Sequence, residues 1–145
     1  MNRIFVSAAM MAVLYPAPVL AEPKGYICEV KDRSEGGFVQ SPVVFVIDLQ
    51  KQSAVISDPI ILMAKEKPVS GDLKRRADGT YRVRWRVTDI PTVQYKITAS
   101  YTAVLDPVTS KVSISGKLEG AGNQLRGTGL CTDLEKSQIG RITGS

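Results

Sequence analysis

Arg82, Arg84 and Arg86 take every second position of one short stretch, with Val83, Trp85 and Val87 between and after them. A side-chain period of two means a strand with one cationic and one apolar face. Three guanidinium groups in a row, about 7 Å apart, suit phosphate, carboxylate or sulfate, which they hold by forked hydrogen bonds. Lys74, Arg75 and Arg76 precede the row and extend the candidate anion-binding surface, with Lys96 beyond it. The same pattern also serves as a solvated face that charge keeps from aggregating.

Other chemistry is poorly supplied. The chain has no histidine, which removes Ser-His and Cys-His nucleophile pairs, histidine metal ligands and the usual neutral-pH base. Asp32, Asp58, Asp78, Asp89 and Asp106 are scattered among turns, and nothing marks a carboxylate pair. Gly120-Ala121-Gly122 runs into Asn123-Gln124-Leu125, so it fails the dinucleotide fingerprint and reads as a hairpin turn. No enzyme, metal or cofactor is expected. Nucleic acid is a poor partner, because few aromatic residues interleave with the basic ones.

An apolar set offers a second kind of site. Ile60, Ile61, Leu62 and Met63 follow Asp58-Pro59, where Asp suits an N-cap and Pro the first helical position. Pro68 stops the segment, so Pro59 to Glu66 is expected to be a short helix, with a buried irregular loop as the alternative. Such an element could act as a lid over a cavity lined by Trp85, Tyr95 and Tyr101. An eight-stranded barrel is either filled by side chains or holds one small ligand, and the sequence does not choose.

The elements that position these residues are strands. Gly25–Lys31 turns Tyr26, Cys28 and Val30 to one face. Val43–Leu49 is apolar on both faces, so it is central or covered outside, by the tail, a loop or a second copy in a weak dimer. Ala54–Ser57 returns it, with Leu49 facing Ala54 and Ile47 facing Ile56. In the Val69–Asp89 hairpin the turn Ala77-Asp78-Gly79 sets Arg76 against Thr80, Leu73 against Val83, Asp72 against Arg84 and Val69 against Val87. Ile90-Pro91 is expected to bend the chain. Val93–Leu105 alternates with Val93, Tyr95, Ile97 and Tyr101 inward, and Lys111–Glu119 pairs back: Leu105 with Val112, Ala103 with Ile114, Tyr101 with Gly116, Ala99 with Leu118. Gln124–Thr132 is the last strand, and its inward Gly127 and Gly129 leave room for a bulky neighbour such as Trp85. Leu134–Ser145 shows no usable periodicity, so residues 134–145 are expected to be a frayed, flexible tail.

The chain of 145 residues carries a formal net charge of +5. It opens with Arg3 and an apolar run from Ile4 to Leu14, broken by Pro16 and Pro18, ahead of Val19-Leu20-Ala21. This reads as a secretory signal peptide over residues 1–21, since about eleven apolar residues are too few to span a bilayer. The mature chain is then a single domain, residues 22–133 with the tail, exported to the periplasm or outside the cell and not membrane-anchored. Cys28 and Cys131 are its two cysteines, and an even pair in an exported protein reads as a disulfide. About eight strands joined by short loops form either an open sandwich or a closed barrel. The disulfide decides: first and last strands must lie within about 7 Å at Cα, which in an antiparallel up-and-down meander means ring closure. The expected fold is an all-β barrel with one short helix and one disulfide.

The leader, Gly25-Tyr26-Ile27-Cys28, Asp58-Pro59 and Gly127-Thr128-Gly129-Leu130-Cys131 together resemble uncharacterised small exported β-barrel proteins of Gram-negative bacteria. The chain is loosely similar to calycins and to periplasmic lysozyme and protease inhibitors. Ser115-Gly116-Lys117 lacks the repeated Ser-Gly of the lysozyme inhibitors, so no functional residue is carried over. Two functions stay open: a non-enzymatic binding barrel for a small apolar or anionic ligand, and a protein-interaction module such as an inhibitor of a cell-envelope hydrolase.

Overall fold

The computed structural model describes residues 12–17 and 21–144. The expected leader lies for the most part outside the described residues. Eight antiparallel strands follow one another around a closed barrel: β1 Lys24–Asp32, β2 Val43–Asp48, β3 Ser53–Ser57, β4 Val69–Arg75, β5 Tyr81–Pro91, β6 Lys96–Leu105, β7 Lys111–Leu118 and β8 Gln124–Asp133. Each pairs with its sequence neighbours, and β8 returns to β1. Closure leaves no open sheet edge. Cys28 and Cys131 face one another directly in the β1–β8 register and are disulfide-bonded, 3.9 Å apart at Cα.

Alternating side chains fill the barrel, a point the sequence left open. Cys28, Phe45, Ile56, Leu73, Val83, Trp85, Tyr101, Ile114 and Leu125 are buried in one contiguous core, to which every strand contributes. Trp85 stacks on Tyr101 at 5.1 Å between ring centroids and meets Phe45 edge-on at 5.7 Å. Such aromatic pairs add about 0.5–1.5 kcal/mol beyond their area burial. The β6–β7 register matches all four expected pairs, Leu105–Val112, Ala103–Ile114, Tyr101–Gly116 and Ala99–Leu118. In β4–β5, Leu73–Val83 and Asp72–Arg84 pair as expected and Arg76 N donates to Thr80 O. Pairing stops at Asp72–Arg84, however, and Val69 pairs with Ile56 of β3 instead of Val87.

Several expectations are corrected. In β2–β3, Ala54 faces Ile47 and Ile56 faces Phe45, two residues from the expected register. The Asp48 carboxylate accepts hydrogen bonds from the backbone of Gln50 and Lys51, so the turn begins one residue earlier. A two-residue shift keeps every side chain on its face, which explains why patterning alone missed it. The bend at Ile90-Pro91 is a bulge between Val87 and Ile90, with Asp89 at φ 60°, and β5 runs on to Pro91. Gly127 and Gly129 make room for other neighbours than Trp85. A side chain at Gly127 would meet Val39 and Val30, and one at Gly129 would strike the Glu29 carbonyl oxygen. β6 begins at Lys96, so Tyr95 lies outside the barrel and is 62 % exposed.

Among the described residues, two helices complete the fold. α1, Pro59–Lys65, is capped by Asp58, whose carboxylate accepts from Ile61 N at 2.7 Å, and its Ile60 and Ile61 are buried. The expected frayed tail instead forms α2, Lys136–Thr143, with a capping box between Glu135 and Gln138. Its Ile139, together with Leu134, packs so closely over Gly25 that a side chain there would lie within 2.9 Å of both. α2 also contacts β2, whose outward Val46 is buried. The tail is therefore what covers the second apolar face of β2.

Candidate functional site

Each predicted site residue has a definite place. Ile60 and Ile61 plug one end of the barrel, while Leu62 and Met63 of the same helix face outward at 47 % and 55 % exposure. The segment is a plug with an apolar outer side rather than a lid over a void. Beside it, the Phe38–Val39 loop seals the same end: Val39 is buried, and the Tyr101 hydroxyl donates to Phe38 O at 2.7 Å. Burial raises the Tyr101 hydroxyl far above its ordinary range, with the Asp58 charge adding to the effect. Asp58 itself is buried, and desolvation lifts its carboxyl despite the backbone donors of Ile61 and Ile60. Trp85 Nε1 is buried with no hydrogen-bond partner among the described residues.

The arginine row points outward on β5, and its members have different neighbours. Arg86 is held by Glu119 through Nε and Nη2, both at 2.7 Å. That bidentate pair raises the Arg86 guanidinium and lowers the Glu119 carboxyl. Arg84 faces Asp72 across β4–β5, yet the two form no ion pair. Arg82 faces Lys74, a like charge, and neither has an ion-pair partner among the described residues. Like charges directly opposite on a sheet are destabilising. Arg76 sits beyond the strand, in the turn that joins β4 to β5.

Following the registers around the barrel reveals cations that the linear sequence keeps apart. Arg84 pairs with Thr102, Thr102 with Ser115, and Ser115 with Arg126. In the next row Arg86 pairs with Ser100, Ser100 with Lys117, and Lys117 with Gln124. Short hydroxyl side chains thus lie between long cationic ones. One cleft on the outside of the barrel wall, of about 810 Å³, is lined by Asp72, Arg84, Arg86, Ser100, Thr102 and Lys117. A second, of about 360 Å³, takes in Ser100, Thr102, Ser115, Lys117, Gln124 and Arg126. Sequence reasoning missed Lys117 and Arg126, although the Tyr101–Gly116 match already fixed the register that places Lys117.

Among the described residues no cluster of three or more His, Cys, Asp or Glu stands ready to hold a metal, and no helix is long and apolar enough to cross a membrane. The Cys28–Cys131 bond marks an oxidising, non-cytoplasmic compartment. The chain matches no protein-family model, no curated protein and no solved structure. An eight-stranded barrel hosts many activities, so function has to be argued from the site.

Proposed function

We propose that this chain is an exported, periplasmic or secreted, non-enzymatic binding barrel whose ligand is anionic and sits on the outer face of β4–β8. The observation that carries this reading is the facing pair Lys74 and Arg82, with Arg84 beside it, left without ion pairs next to a cleft floored by hydroxyls. An anion bridging these groups offsets their mutual repulsion and takes forked hydrogen bonds from the guanidinium groups. The filled interior argues against the small apolar ligand.

Replacing Arg82, Arg84 and Arg86 together by Gln is expected to lower the salt needed to elute the protein from a sulfate-ester resin. The control is a variant of equal charge, with Lys24, Lys51 and Lys67 changed to Gln. Equal elution of the two variants would reduce the effect to net charge and remove the site.

The second reading, a protein-interaction module such as an inhibitor of an envelope hydrolase, draws on a different place. Val93 and Tyr95 project from the β5–β6 loop, at the same end of the barrel as the exposed Leu62 and Met63. Lys65 of α1 is tied to Asp89 of β5 at 2.8 Å, which holds the helix beside that loop. Inhibition of a cell-wall hydrolase that is lost in a Val93→Asp, Tyr95→Ala variant supports this reading; wild-type protein without effect on such enzymes removes it.

A further inference from the structure

We infer that the anion is a linear acidic polysaccharide laid lengthwise along β6 and β7. This rests on the outer-face reading above and names the ligand class for it.

The outward positions of β6 and β7 carry only short side chains between their ends: Ser100, Thr102 and Val104 on β6, Ser113 and Ser115 on β7. On one side rises the β5 wall of Arg82 and Arg84; on the other, Arg126 of β8 and then Lys31 of β1, which pairs with Thr128. Three inter-strand gaps separate Arg84 from Arg126, about 14 Å at Cα. Short side chains between long ones make a trough.

The trough continues past these two clefts. A third, of about 650 Å³, is lined by Arg33, Val104, Lys111, Ser113, Thr128 and Leu130, among others. It lies end to end with the 360 Å³ cleft along the outer face of β6 and β7, while the 810 Å³ cleft opens beside the latter, toward β5 and β4. Cations recur along the whole run: Arg84, Lys117 and Arg126 in one half, Arg82, Lys111 and Arg33 in the other. A compact ion needs one such group of charges, whereas a repeating chain meets them in succession, each contact raising the effective concentration for the next.

Two of the acids nearby are occupied. Glu119 holds Arg86, and Asp106 accepts from Val108 N and Thr109 N within its own turn. Asp72 faces Arg84 from β4 and lines the β4–β5 side of the first cleft.

Surface chemistry selects a sugar polymer. Ser and Thr hydroxyls both donate and accept, as sugar hydroxyls require, and guanidinium forks fit carboxylate or sulfate. The aromatic residues beneath the trough, Trp85 and Tyr101, are buried inside the barrel, so the stacking platform that single-stranded nucleic acid needs is missing.

The test uses the mature protein and heparin fragments of graded length. An octasaccharide is expected to bind at least about tenfold tighter than a disaccharide. Ser115→Trp removes no charge but fills the trough; it is expected to cost at least about tenfold in octasaccharide affinity. Circular dichroism and thermal midpoint verify that this variant folds, and Thr102→Trp provides a second obstruction at the neighbouring position. Equal affinity for both fragments overturns the polymer while leaving the anion site standing. So does full octasaccharide affinity in both folded Trp variants. Tighter binding to a single-stranded oligonucleotide, or to vesicles of anionic lipid, reassigns the trough and overturns the inference. If no probe binds and the resin distinguishes no variant, the outer-face reading itself fails.

Discussion

The two outer walls of this barrel are built on the same alternation and finished in opposite ways. On β1–β3 the outward positions include Gly25, Ile27, Val44, Val46 and Val55, and α2 lies across part of them. On β5–β8 they are mostly Arg, Lys, Ser and Thr, and no helix among the described residues crosses them. The inner faces are apolar on both sides, so folding of the core does not distinguish the walls. What differs is the second face: an apolar one must be covered, and a polar one is free to meet something outside the chain.

The largest expected effect is at the seam joining the walls. Changing both Cys28 and Cys131 to Ala removes a crosslink spanning 103 residues. The chain-entropy model gives about 4.7 kcal/mol for a loop of that size, and removal of a native disulfide typically costs about 2–5 kcal/mol. Urea unfolding measures the loss; under about 1 kcal/mol, strand pairing alone would be holding the ring.

Paired substitutions sharpen the contrast between the walls. Gly25→Val on the covered wall sets a side chain against Ile139 and Leu134. It is expected to displace α2 and cost about 1–3 kcal/mol, the range for overpacking. Thr102→Val, on the bare wall, is expected to stay within about 0.5 kcal/mol of wild type. Similar costs at both sites would mean that the covering helix adds nothing to stability.

Asp58 gives a smaller, pH-dependent effect at the plugged end, between the walls. Its carboxyl is raised in the folded protein, chiefly by desolvation. A raised acid favours the folded state fully below its unfolded pKa, and that contribution is lost as pH rises through the folded value. Asp58→Asn keeps an N-cap acceptor without the charge, so it is expected to flatten the pH dependence above the acidic range and to match or exceed wild type at pH 7. Asp58→Ala is expected to lose about 1 kcal/mol. Thermal melts from pH 4 to 8 check both; a steeper fall with pH in Asp58→Asn refutes the assignment.

The smallest effect concerns Arg86 alone. Glu119→Gln releases its guanidinium and is expected to delay elution from the sulfate-ester resin more than Glu35→Gln, which makes the same charge change elsewhere. Identical elution would place Arg86 outside the binding face.

Much of the architecture was readable because period-two patterning and cross-strand matching are local. The β5 alternation and the β6–β7 register needed only neighbouring segments, and the cysteine pair supplied the closure. What failed depended on a single polar contact or on distant packing. One Asp48 carboxylate moved a register by two. The room above Gly127 was taken by Val39 from a polar loop without periodicity. α2 has only Ile139 and Ile142 as large apolar residues, too few for a helical period, although Glu135, Gln138 and Gly144 carry its capping signals. The candidate site was half readable: Arg82 to Arg86 stand out in sequence, whereas Lys117 and Arg126 join them only through successive pairings across β6, β7 and β8.

Because β1 and β8 are direct neighbours, Tyr26 stands opposite Asp133, and the two ends of the domain emerge together. A short peptide joining them, with new termini cut at the Ala77–Gly79 turn, is expected to yield a circular permutant with the same wall order and the same sulfur bridge. The order in which the ribosome delivers these strands would then be incidental to the shape they make.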